Sequence, residues 1–192
     1  GSLSVTQTVL ARLTEAIDDP DADERTSIMK APSMLAVAQL IGDTLADVRQ
    51  DVAQKLDRMN QSASASLLVA GQRKDGEMRL FLVYPEGNFI EATPDTPYLQ
   101  IGEHKYGKPI LDRVIRSETR LEDAEKAVLL SMDSTLRSNL SVGMPLDLAV
   151  IERDGLCIAR ERRIEADDTG FQALSRAWSD ALRDSFQKIE PI

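Results

Sequence analysis

Ser64-Ala-Ser-Leu-Leu-Val-Ala-Gly-Gln72 and Met78-Arg-Leu-Phe-Leu-Val-Tyr84, joined through Asp75-Gly76, decide the fold. Leu67, Leu68 and Val69 are consecutive, as are Leu80 to Tyr84. Adjacent residues of a strand point to opposite faces, so each strand is apolar on both sides. An antiparallel sheet with one wet face would alternate instead. Asp-Gly supplies the positive φ of a tight hairpin turn, which makes the pair antiparallel. The expectation is a hairpin that needs a covering layer on each side.

The flanking sequence supplies those layers. Upstream, Val9, Leu10, Leu13 and Ile17 recur at helical spacing behind a Ser4/Gln7 capping-box pattern, giving a helix over about 5–17. Asp18 to Arg25 is acidic, contains Pro20 and has no period, and reads as a solvated, disorder-prone loop. Leu35, Ala38, Ile41, Leu45, Val48, Val52 and Leu56 then form one stripe of a long helix over about 33–58. Downstream, Phe89 to Ala92 and Leu99 to Ile101 suggest short strands, interrupted by Pro94 and Pro97. Pro109 to Ile115 reads as a short helix. Thr119 and Glu122 form a second capping-box pattern before a helix ending near Asn139. A second hairpin follows, Leu146 to Ile151 and Leu156 to Ile164 around Asp154-Gly155. Phe171, Leu174, Trp178, Leu182 and Phe186 line one face of a last helix. Helix pairs alternating with two-sided hairpins fit an α+β chain, a four-layer α–β–β–α sandwich with sheet on sheet and helices outside.

Composition narrows the function classes. The 192 residues are 42% hydrophobic and 29% charged, a globular balance that predicts one domain over 1–192. A net charge of -9, with no basic run longer than the Arg160 to Arg163 stretch broken by Glu161, argues against a nucleic-acid partner. One cysteine and one histidine exclude a disulfide framework and Cys- or His-rich metal sites. No apolar run approaches membrane-spanning length, and no charged-then-apolar leader opens the sequence. The expectation is a cytoplasmic protein without cofactor, metal or membrane partner.

Four features could carry chemistry. Gly102-Glu-His-Lys-Tyr-Gly107-Lys108 nearly matches a phosphate-binding loop, but Pro109 stands where a magnesium-binding Ser or Thr belongs. A strand end turning into a helix, with Pro109 in its first turn, is the simpler reading. His104 has no Ser or Cys nucleophile motif pointing to it and reads as a surface or structural residue. Cys157, between Leu156 and Ile158, reads as a small buried hydrophobe. Ser131, Ser134, Ser138 and Ser141 cluster before Gly143 and Pro145, and read first as helix termination, second as hydroxyls facing an active centre.

Three longer stretches carry a resemblance. Tyr84-Pro-Glu-Gly-Asn-Phe-Ile-Glu-Ala-Thr93, Gln100-Ile-Gly-Glu-His-Lys-Tyr-Gly-Lys-Pro-Ile-Leu-Asp112 and Ser131-Met-Asp-Ser-Thr-Leu-Arg-Ser-Asn-Leu-Ser-Val-Gly143 resemble the Anbu family, bacterial relatives of proteasome β-subunits and HslV. Ser175-Arg-Ala-Trp178 fits as well. The resemblance spans nearly the whole chain and implies the N-terminal-nucleophile hydrolase sandwich, read from its first helix onward. Family members open on strands that carry a threonine nucleophile with an aspartate and a lysine that tune it. This sequence opens at Gly1, so those N-terminal strands are expected to be missing from it.

The resemblance also implies a mechanism and partners. A threonine hydroxyl attacks a peptide carbonyl, its own α-amine takes the proton, and backbone N–H groups hold the oxyanion. By position Gly1 resembles the glycine of that oxyanion hole. Ser138 and Ser141 fall where proteasome subunits place an Asp and a Ser near the amine, and Glu103 near a further position that supports it. Partners would be identical subunits in a ring or open spiral, with a peptide or amide substrate. The alternatives are a non-catalytic assembly subunit and a phosphate-binding module at Gly102 to Lys108.

Overall fold

The computed structural model describes residues 2–57 and 64–191, without the side chains of 54–57. Gly1 and the expected helix end at Arg58 lie outside the described residues, as does the side chain of Leu56. The chain is α+β and forms two units, Gly1–Gly102 with Ile151–Cys157, and Glu103–Val150 with Ile158–Ile192.

In the first unit, α1 (Leu3–Asp18) and α2 (Met34–Asp57) pack beside a three-stranded sheet of order β1-β2-β3, formed by Leu67–Gly71, Arg79–Val83 and Phe89–Glu91. Ser33 Oγ accepts the Ala36 N–H at 3.1 Å and starts α2. The Ser4/Gln7 pattern forms no capping box. The helix begins two residues earlier at Leu3, with Ser2 at the N-cap position and no side-chain cap bond, and Ser4 lies inside it. In segment 18–25, Asp19 and Asp23 accept backbone N–H groups of Asp21 and Arg25, and Lys30 Nζ donates to the Ala22 carbonyl at 2.5 Å.

Both neighbouring strand pairs are antiparallel, with Val69 opposite Phe81 and Phe81 opposite Glu91. Phe81 and Val83 are fully buried with Val5 and Val9 of α1 and Leu45 and Val48 of α2. Phe89 meets Phe81 edge to face at 5.6 Å. The other side of the sheet carries Leu68, Leu82 and Ile90 in one register row, with Leu68 and Ile90 exposed. The two-sided apolar character is therefore real. The turn is longer than a two-residue hairpin. Gly71 pairs with Arg79, the Gly76 N–H bonds the Arg73 carbonyl, and Asp75 alone takes positive φ, at 60°. Leu99 to Ile101 forms no strand; the sheet ends at β3. Gly42 of α2 meets Gly87, where an added Cβ would lie 2.1 Å from the Gly87 carbonyl oxygen. Helix and loop backbones touch there because neither residue carries a side chain.

The second unit holds α3 (Lys108–Val114), α4 (Leu121–Ser138), a two-stranded sheet of β4 (Leu146–Ile151) and β5 (Ile158–Ile164), and α5 (Thr169–Gln187). Thr119 does not cap α4. Arg120 takes the N-cap position, and Thr119 Oγ1 instead accepts the Arg116 N–H at 2.8 Å in the preceding turn. Asp168 does cap α5, accepting the Phe171 N–H at 2.8 Å. Leu129, Leu146, Ile164 and Phe171 form the core between these elements. Beyond Phe171 the apolar stripe of α5 emerges: Leu182 is 50% and Phe186 78% exposed.

Candidate functional site

The site grows from two chain turns in the second unit. Before α3, the Lys108 N–H bonds the His104 carbonyl at 3.0 Å, closing a turn with Glu103 at its entrance. Gly107 holds the N-cap position of α3 and is buried against α4. A Cβ there would lie 2.1 Å from Ser131 Oγ and 2.9 Å from the Ser131 carbonyl oxygen. Packing therefore accounts for the glycine that gives this segment its phosphate-loop look.

At the other turn, α4 ends with the Asn139 N–H on the Thr135 carbonyl at 2.9 Å. Asn139 then takes extended φ and ψ of -136° and 109°, and the Val142 N–H bonds back to its carbonyl at 3.1 Å. The Asn139 side chain joins the two turns. Its Nδ2 donates to Glu103 Oε2 at 2.8 Å, while its Oδ1 accepts the Ser141 N–H at 2.9 Å and the Ser141 hydroxyl at 2.7 Å. Glu103 Oε1 accepts the Lys105 N–H at 2.9 Å. That backbone bond is the largest influence and holds the Glu103 carboxyl below the usual glutamate range; burial opposes it, and the Asn139 amide, a smaller effect than burial, adds to the lowering.

The expected residues thus divide. Glu103 and Ser141 are brought into one network. Ser138 ends α4 with an exposed side chain and is not joined to it. Gly1 lies outside the described residues. The serine cluster is split by the helical period: Ser131 is buried against Gly107, Ser134 is half-buried, and Ser138 is exposed. Cys157 is exposed, contrary to the expectation of a buried hydrophobe. Its neighbours Leu156 and Ile158 are each 50% exposed, so apolar flanks did not place it in a core. His104 is exposed. Asn139 is the residue that sequence reading passed over. Its signal was a carboxamide set between Ser138 and Ser141 just past a helix end, which reads equally as termination.

Chemically, Glu103 is an anionic acceptor. Ser141 gives its hydroxyl hydrogen to Asn139 and so presents lone pairs only. Two acceptors fixed by one amide suit a protonated amine. A separate cavity of about 500 Å³ lies in the same unit, floored by Ile110, Leu130 and Trp178 and rimmed by Glu118, Asp123 and Lys126. Glu103, Asn139 and Ser141 do not line it. Among the described residues, no group of three or more His, Cys, Asp or Glu could hold a metal ion, and no helix is long and apolar enough to cross a membrane.

Comparison with known proteins shows the family. The proteasome subunit family model matches residues 23–151. A (Gly-1) mutant of Anbu from Hyphomicrobium sp. strain MC1 is 51% identical with a TM-score of 0.91, over 100% of this chain and 78% of that one. Anbu, ancestral beta-subunit, from Yersinia bercovieri is 41% identical at 0.89, with the same two coverages of 100% and 78%. The helical assembly of the Anbu complex from Pseudomonas aeruginosa supplies a chain 42% identical at 0.90, again covering 100% and 78%. No curated protein matches.

Proposed function

This chain belongs to the proteasome subunit family and matches Anbu structures along its whole length, and on that premise we propose that it is a subunit of a self-assembled threonine hydrolase acting on peptide bonds. The observation that carries the reading is the full-length match at 51% identity and a TM-score of 0.91. The nucleophile would be an N-terminal threonine upstream of Gly1. The solved relatives extend beyond the region this chain matches, which leaves room for it.

In this mechanism the threonine hydroxyl attacks the substrate carbonyl and its own α-amine accepts the proton, directly or through water. Glu103 and Ser141 supply acceptors for that amine once protonated. Gly1 N–H would help hold the oxyanion. Ser138, exposed and outside the network, is at most a second-rank contributor. Assembly follows the helical form of the Pseudomonas aeruginosa relative. The open stripe of Leu182 and Phe186 is an apolar surface suited to it. A cytoplasmic location and a substrate of peptide or amide class complete the proposal.

N-terminal sequencing and intact mass of the protein expressed from its complete gene test this directly. The expected mature chain begins with threonine. Any other first residue in the active oligomer would overturn the catalytic reading and leave the assembly subunit in its place.

A further inference from the structure

Asn139 does more than end a helix. It sits at the C-cap of α4 in an extended conformation, with φ of -136°. The terminating bond, N–H to the Thr135 carbonyl, uses only its backbone and would survive any side chain but proline. The carboxamide is left for other work, and both its ends are engaged. Nδ2 donates to the Glu103 carboxylate at 2.8 Å, and Oδ1 accepts two bonds from Ser141 at 2.9 and 2.7 Å. A carboxylate in its place could keep Ser141 but would repel Glu103. A hydroxyl could not span the two turns.

We infer that Asn139 is a positioning residue, whose amide locks Glu103 and Ser141 into a single acceptor pair for a protonated amine. The inference deepens the hydrolase reading and rests on it, the amine being that of the proposed threonine. From its own loop, Lys105 is a charged group acting on Glu103. From the end of α4, neutral Asn139 meets Glu103, while Arg137 is engaged with Asp133 and Ser175.

The test uses the complete protein and a peptide epoxyketone, which adds to an N-terminal threonine. The second-order rate of adduct formation is followed by mass against pH. Asn139→Ala is expected to lower the rate roughly tenfold, the scale of one lost hydrogen bond to a charged group. Its acid limb moves to higher pH, because Glu103 loses a donor that favours its ionised form. Asn139→Asp loses more, with two carboxylates facing each other. Adding Glu103→Gln to Asn139→Asp restores a donor–acceptor pair of reversed polarity and recovers part of the rate. A purely structural role would lower the rate uniformly without moving the acid limb, and that result overturns the inference while leaving the hydrolase reading intact. If the wild type forms no adduct at any pH, the hydrolase reading falls. The Glu103 carboxyl, titrated by carbon NMR, then decides the positioning bond. An apparent pKa unchanged in Asn139→Ala overturns it.

Discussion

The two units are built from the same parts, helices and a small sheet, yet they bury them differently. In the first, Phe81, Val83, Val5, Val9, Leu45 and Val48 are all fully inside, and two glycines let α2 touch the chain at Gly87. In the second, a smaller core around Leu129 and Ile164 leaves the far half of α5 open, and the Glu103, Asn139 and Ser141 network lies at turns beside the helix ends. The difference teaches a division of labour. The first unit concentrates the burial that stabilises a fold. The second leaves a polar network and the far half of α5 outside its smaller core.

Several substitutions would break or sharpen this contrast. The largest expected effect is Phe81→Ala, which removes a fully buried ring packed on Phe89 and beneath the Arg79 guanidinium. Urea unfolding should show a loss of about 3–5 kcal/mol. Phe171→Ala in the second unit, next to a thinner core, should cost clearly less; equal losses would erase the distinction.

Next come the paired glycine substitutions, each expected to cost about 1–3 kcal/mol. Gly42→Ala drives a Cβ into the Gly87 carbonyl, a backbone atom that no side-chain change can remove. Gly107→Ala meets Ser131 Oγ first, so adding Ser131→Ala should recover part of the loss in thermal unfolding. Failure to recover any would mean the Ser131 backbone is the real obstacle.

Phe186→Glu together with Leu182→Glu should weaken self-assembly, seen as smaller particles by light scattering. Subunit stability should change by less than about 0.5 kcal/mol, since both side chains are exposed. Unchanged assembly would move the interface elsewhere.

The smallest effect is pH-dependent. The Phe171 N–H, followed by Arg162, holds the Asp168 carboxyl below its ordinary value of 3.8. A lowered carboxyl contributes stability above that value and loses it as pH falls through the folded-state pKa. The difference in Tm between wild type and Asp168→Ala should therefore be constant near neutrality and shrink below about pH 4.

Much of this architecture is legible in local sequence. Asp75-Gly76 and Asp154-Gly155 mark the two hairpins, and the stripe from Leu35 to Val52 marks α2, because turn chemistry and helical period act over a few residues. Local patterns fail where tertiary position decides. Ser4 and Thr119 satisfy a capping motif but do not stand at the helix starts. Cys157 has apolar neighbours that are themselves exposed. In the candidate site, Glu103 is recoverable only through family resemblance, and Ser141 otherwise only as one member of a serine cluster. Their tie through Asn139 joins residues 36 positions apart, which no local spacing announces.

The most direct measurement of the central claim is peptide mapping of the complete protein after reaction with a threonine-directed epoxyketone. The account predicts a covalent adduct on an N-terminal threonine of the assembled particle. A particle that assembles normally yet carries no adduct, or carries it on another residue, would contradict it.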